Sequence, residues 1–177
     1  MLLILTILII LTSLSACGGV DNMFGRIGRL NREIMSERKK ADKTLNLVLE
    51  SCKRRDKNLL KTAFSTKALN ELIDLDDSIE NLFNVFEFAY VVNYDEWADP
   101  HTSTENEFGI RTVEANMQYE IQTNSKIYYL YIREYFEDMK NPDNVGIETI
   151  VVMPLELSDE KFGKTDDWAM PGIYVFP

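Results

Sequence analysis

The hydrophobic period of this chain changes once, between Phe86 and Phe88. Before that point apolar residues recur at helical spacing. Ala41, Leu45, Val48, Leu49 and Cys52 form one stripe, with Lys43, Glu50, Lys53 and Arg54 on the other side. This helix should end near Arg55. Asp56 then stands where it caps a short helix carrying Leu59, Leu60, Ala63 and Phe64, and Ser65 reads as the next boundary. Leu72, Leu75, Ile79, Leu82, Phe83 and Phe86 share one face of a third helix. Asp74, Asp76, Asp77 and Glu80 sit in its N-terminal turns, where the helix dipole favours negative charge.

Beyond Phe86 the period is two. Phe88–Trp97 is rich in aromatic and β-branched residues, and Asp99-Pro100-His101-Thr102-Ser103 reads as a loop. Phe108–Ile121 alternates on Arg111, Val113, Ala115, Met117, Tyr119 and Ile121. After a Thr123-Asn124-Ser125 turn, Lys126–Phe136 places Ile127, Tyr129 and Tyr131 on one face and Tyr128, Leu130 and Ile132 on the other. Asn141-Pro142-Asp143-Asn144 is a strong turn before the last strand, Val145–Leu155. About three helices followed by about four antiparallel strands is a segregated order, which predicts an α+β fold with helices packed on a curved sheet.

With 177 residues, 45% of them hydrophobic and 27% charged, the chain has ordinary globular composition, and residues 33–177 read as a single domain. A net charge of −10 argues against a nucleic-acid binder. One His and two Cys leave too few ligands for a structural zinc site, so neither metal nor cofactor is expected. Asp74-Leu75-Asp76-Asp77-Ser78 begins like a calcium loop, but Ile79 and Val85 stand where Gly and Glu are needed. Gly25-Arg26-Ile27-Gly28 does not follow a strand, so it is no phosphate-binding loop. His101, the chain's one histidine, lies in a polar loop beside Pro100 and is not read as a catalytic base.

Residues Leu2–Leu11 are apolar except for Thr6, too short a run to span a bilayer but the length of a signal-peptide core. Leu14-Ser15-Ala16-Cys17 follows, and it resembles the lipobox of bacterial lipoproteins. That resemblance implies cleavage between Ala16 and Cys17 and a diacylglyceryl thioether on Cys17. The small side chains of Ser15 and Ala16 would let the chain enter a narrow protease site. Residues 1–16 are then a signal peptide and 17–32 a lipidated tether. The expected location is the extracytoplasmic face of a bacterial cell membrane, where two acyl chains anchor stably. The pattern departs from the usual one in having no Lys or Arg before the apolar run. Either translation starts upstream or export tolerates the lack. Cys52, left without a partner, reads as a buried inert thiol.

Charge is unevenly spread. Residues 17–70 carry 13 basic and 6 acidic side chains, whereas residues 71–177 carry 6 and 23. Basic residues beside an anionic bilayer are attracted to it, and an acidic distal part is repelled. Met23, Phe24, Ile27, Leu30, Ile34 and Met35 fall on about 140° of one helical face, off which lie Arg26, Arg29 and Arg32, as in an interfacial helix. Gly25 and Gly28 oppose a helix here, so a flexible tether or a first helix packed on its own domain is the expectation.

Three blocks sharpen the fold. Glu50–Phe64 ends in Leu-Leu…Phe, Leu75-Asp76-Asp77-Ser78-Ile79 leads into Leu82-Phe83, and Asn141-Pro142-Asp143-Asn144-Val145-Gly146-Ile147 precedes the last strand. Over residues 33–155 they resemble an uncharacterised family of small bacterial lipoproteins with the nuclear-transport-factor-two-like or SnoaL-like, also called cystatin-like, fold. The resemblance implies a conical pocket between sheet and helices but no catalytic residues. Some folds of this class run acid–base chemistry in the cone. The residues here that suit it are Tyr90, Tyr94, Tyr119, Tyr129 and Tyr131 as hydrogen-bond donors, with Glu114 or Glu120 as base. Aromatics at period two are also ordinary sheet core. The apolar tail Trp168–Pro177 should pack on the sheet or cover the pocket mouth.

The expected function is a membrane-anchored, non-enzymatic module that binds a protein partner or small ligand. An isomerase- or dehydratase-like enzyme using the cone is the alternative, and an accessory subunit of an envelope complex is a third reading.

Overall fold

The computed structural model describes residues 18–86, 91–96, 100–161 and 170–176. The chain falls into two compact units, Met1–Ser36 and Glu37–Pro177. Its helices are α1 (Gly18–Arg54), α2 (Lys57–Lys61), α3 (Thr66–Glu71), α4 (Leu75–Phe86) and α5 (Leu155–Lys161). Its strands are β1 (Val91–Glu96), β2 (His101–Glu107), β3 (Ile110–Thr123), β4 (Ile127–Asp138), β5 (Gly146–Pro154) and β6 (Gly172–Val175). The fold is mixed α+β.

Of the two expectations for this segment, a flexible tether or a first helix, the first unit shows a helix from Gly18 onward. Side chains 30–36 are exposed, among them Leu30, Ile34 and Met35.

In the second unit α1 buries the predicted stripe Ala41, Leu45, Val48 and Cys52. Arg55 ends the helix by turning left-handed, at φ 52°. The Asp56 carboxylate then accepts from Leu59 N at 2.9 Å, and Ser65 Oγ from Ala68 N at 3.0 Å, which starts α2 and α3. The expected third helix is two helices. At Leu72 the backbone is extended, and Asp74 O then receives Ser78 N at 3.0 Å, so α4 begins afresh at Leu75.

Among the described residues there are six strands where about four were expected. Five follow the order β1-β3-β4-β5-β6, and β2 shares the outer edge of β3 with β1. The long β3 makes this possible, since β1 pairs with its residues 119–123 and β2 with residues 110–116. His101–Thr102–Ser103, expected as loop, is therefore strand. An exposed edge strand needs no apolar alternation, so its polar sequence hid it. The apolar tail joins the sheet as β6, parallel to β5, with Ile173 buried and α5 lying between the two strands in sequence.

Alternation divides the sheet into two faces. Met117, Tyr119 and Ile121 of β3, Leu130 and Ile132 of β4, and Ile147, Ile150 and Val152 of β5 pack with α1, α2 and α4 in the main core. Tyr129, Tyr131, Val151 and Met153 form a smaller cluster on the other face, with Leu155 and Leu157 of α5 and Tyr174 of β6 packed against it.

One glycine joins helices and sheet. Gly146 has φ 122°, and a Cβ there would come within 2.7 Å of Ser65 N. This close approach lets Ser65 N donate to Ile147 O at 2.9 Å and Ile147 N to Ala63 O at 2.8 Å.

Candidate functional site

The sheet separates the residues that the sequence proposed to bring together. Tyr119 faces the helices, whereas Tyr129 and Tyr131 lie on the opposite face. Glu120 is registered with Tyr129 and Glu114 with Tyr135, which places both carboxylates on that opposite face too. Tyr94 lies in β1 opposite Ile121. Ala16, Cys17 and Tyr90 lie outside the described residues.

On the face away from the helices, polar side chains form a connected row. Tyr131 donates its hydroxyl to Asn116 Oδ1 at 2.5 Å, and Asn116 Nδ2 reaches Glu114 Oε1 at 3.5 Å. Burial holds the Tyr131 phenol above its usual range, and the Glu114 carboxylate adds to this against the opposing pull of Arg133. Tyr135 is pushed up to about 12, first by burial and then by Glu114 and Glu148. These phenols serve as hydrogen-bond donors and are poor proton acids. Farther along, Glu148 is nearly buried and takes Arg133 Nη2 at 3.3 Å and Lys67 Nζ at 3.7 Å. A bulge between Arg133 and Glu134 permits that pairing by shifting the β4–β5 register.

Lys67 also lines a polar groove of about 510 Å³, with Asn70 and Glu71 of α3 and Asn141, Asp143 and Asn144 of the facing turn. The turn is fixed from within. Asp138, itself buried, accepts from Asn141 N at 2.8 Å, Lys140 N at 3.0 Å and Asn144 Nδ2 at 2.9 Å. Burial would raise its pKa, but these donors outweigh burial and hold the carboxyl below its usual range. The Gly146 contact ties the same turn to the α2–α3 junction. A second groove, of about 430 Å³, is lined by Lys61, Leu69, Leu72 and Ile73 and the first residues of α4; there Lys61 meets Asp76 at 2.6 Å.

The helix-facing side holds one titratable group that the sequence reading missed. Glu134 continues the row Leu130–Ile132 and pairs with Ala115 on β3 and Ile147 on β5. Burial pushes its carboxyl up to about 7, against the opposing effects of the Thr44 hydroxyl, Lys40 and Lys43. Its Oε2 is buried without a hydrogen-bond partner. Extending the alternation of β4 by one step past Ile132 would have found it. Nearby, Glu37 accepts from Thr102 Oγ1 at 2.9 Å and faces Arg111 at 3.9 Å. Cys52 is buried, and burial pushes its thiol up to about 12, so it is a poor nucleophile.

Among the described residues no cluster of three or more His, Cys, Asp or Glu side chains could hold a metal ion, and no helix is long and apolar enough to cross a membrane. No curated protein matches the chain in sequence. A family of domains of unknown function, DUF5104, matches residues 47–155, from the buried stripe of α1 to the end of β5. The chain belongs to that family.

Proposed function

We propose that this protein is an exported lipoprotein, held by a diacylglyceryl group on Cys17 at the extracytoplasmic face of the membrane, whose domain binds rather than transforms its ligand. The groove between α3 and the Asn141–Asn144 turn takes a small ligand rich in hydroxyl or amide groups. The carrying observation is that this groove is polar and its walls are fixed. Asp138 pins the turn, the Gly146 contact locks it to α3, and buried Glu148 holds Lys67 at the rim. Fixed polar groups bind with little ordering cost. Helices α1 to α4 packed on one face of a curved sheet also support the cystatin-like or SnoaL-like reading of the family.

Thermal unfolding with a panel of sugars, amino-acid amides and short peptides tests the groove. At least one compound should raise the Tm of the wild type and do much less for Lys67→Ala or Asn70→Ala. No shift with any compound, or equal shifts in all three proteins, would remove the groove reading. The anchor is tested by labelled palmitate in producing cells, which should enter the wild type and not Cys17→Ala.

A second reading, acid–base catalysis, is favoured by Glu134, whose carboxyl titrates near neutrality. It is weakened by the sheet, which sets Glu134 apart from the Tyr131–Asn116–Glu114 row.

A further inference from the structure

The β2–β3 hairpin ends in a two-residue turn, Phe108–Gly109, closed by the Glu107–Ile110 pair. Both turn residues have positive φ, 53° for Phe108 and 85° for Gly109, as in a type I′ turn. Asn106 supports the turn, accepting from Gly109 N at 3.2 Å. The first position of such a turn suits Asn, Asp or Gly. A bulky L-residue there is strained, because its Cβ crowds the backbone. Phe108 nonetheless occupies it, and at 106% relative exposure its ring touches nothing that would repay the strain. Ile110 follows it, 48% exposed. Met139 lies beside the strand, its N donating to Arg111 O at 3.0 Å, and is 56% exposed. Strain and complete exposure thus coincide on an apolar knob at one end of the sheet.

The surroundings of the knob select its partner. The acidic rim consists of Glu105 and Glu107, exposed on the strand that leads into the turn, and Glu137 of β4, paired in register with Val113, three residues past Ile110. Against them stand Lys140 and Arg111, the latter already engaged with Glu137 at 3.5 Å and with Glu37. An anionic bilayer would repel such a rim. A second copy would set acidic rim against acidic rim. A projecting aromatic of this kind is instead an anchor for a concave pocket. We infer that the Phe108–Ile110–Met139 knob docks into an apolar pocket, rimmed by Lys or Arg, on a different protein. The inference rests on the reading of the chain as a binding module but uses a different surface from the groove.

The test places p-benzoylphenylalanine at position 108 of the full chain and irradiates the producing cells. A discrete adduct with another protein should form. It should disappear when Glu105→Lys and Glu107→Lys are combined, and persist in Lys67→Ala. The captured protein, identified by mass and purified, should bind the wild type at least tenfold more tightly than Phe108→Asn. Phe108→Asn should itself unfold at the same temperature as the wild type or higher. An adduct with lipid, an adduct of two copies of the chain, no adduct, or one indifferent to the charge reversal would each overturn the inference. So would a lowered Tm in Phe108→Asn, since Phe108 would then serve the fold. An adduct lost in Lys67→Ala but kept after charge reversal would put the partner at the groove, overturning the knob while leaving the binding-module reading standing.

Discussion

The two faces of the sheet solve the problem of buried polar groups in opposite ways. Away from the helices, Tyr131 has Asn116, and Arg133 has Glu148 with Lys67 behind it, so buried charges meet counter-charges even though Glu148 Oε1 itself makes no hydrogen bond. On the helix-facing side Glu134 has the Thr44 hydroxyl, Lys40 and Lys43 to oppose its burial, yet one oxygen lacks a hydrogen bond and burial prevails, so its pKa rises toward neutrality instead. A polar group whose partners outweigh burial keeps its protonation state across ordinary pH, whereas one for which burial prevails becomes pH-sensitive. The side built as a core is therefore the one that should respond to pH.

The largest test of this contrast removes what holds both faces in register. Gly146→Ala adds a Cβ at φ 122° and 2.7 Å from backbone nitrogen, where no flexible side chain can yield. Denaturant unfolding should show a loss of about 3 kcal/mol or more. A loss under about 1 kcal/mol would mean that the α2–α3 junction moves freely away from β5. Next in size is Glu148→Ala, which leaves Arg133, with a side chain only 13% exposed, without its closest carboxylate. Breaking a buried pair on one side costs about 3 kcal/mol. If the loss matched that of an exposed pair, the paired face would be wetter than its burial implies.

Glu134→Gln should work the other way. The native carboxyl titrates at about 7, above its ordinary 4.5. Wild-type stability is therefore fullest below pH 4.5, where Glu134 is protonated folded or unfolded, and falls as pH rises through 7. Above that it stays lower by about 3 kcal/mol, because holding back ionisation costs roughly 1.4 kcal/mol for each pH interval of one between the unfolded and folded titration points. A neutral amide avoids this cost. Glu134→Gln should be more stable than the wild type by about 2 kcal/mol at pH 8 and close to it at pH 5. Equal effects at the two pH values would show that Glu134 is ionised and solvated in the native protein.

Local patterns were legible where one residue decides one geometry. Asp56 caps the helix that the sequence assigns to it, and Ser65 marks the boundary that the sequence assigns to it by capping α3, because each hydrogen bond is made within three residues. The faces of β3 and β4 followed from period-two spacing, since a half-buried strand writes its burial into its sequence. β2 did not, because a strand exposed along nearly its whole length carries no burial signal. The sequence shows β6 only as an apolar tail that must pack; its parallel pairing with β5 joins strands separated in sequence by α5, and no local spacing encodes it. The candidate site was the least legible. Tyr119, Tyr129 and Tyr131 look alike as a sequence of aromatics, yet one residue of register decides which side of the sheet each occupies. The Arg133–Glu148–Lys67 cluster rests on a bulge and on a helix far off in sequence, and no spacing announces it.

The smallest predicted effect is also the sharpest test of the paired face. Tyr131→Phe deletes the hydroxyl that donates to Asn116 Oδ1 and leaves the ring, 9% exposed, where it packs against its neighbours. Asn116 then loses a donor, but its amide nitrogen keeps Glu114. The loss should be about 1 kcal/mol, the net worth of one such hydrogen bond. Because burial and Glu114 both hold the phenol above its usual range, it stays neutral at pH 5 and at pH 8. The loss should be the same at both. In that respect Tyr131→Phe is the counterpart of Glu134→Gln, with one face responding to pH and the other not. A Tyr131→Phe effect that grew between pH 5 and pH 8 would mean that a neighbouring carboxylate titrates in that interval and depends on the tyrosine hydroxyl. The paired face would then be a second pH-sensitive site rather than a set of satisfied partners.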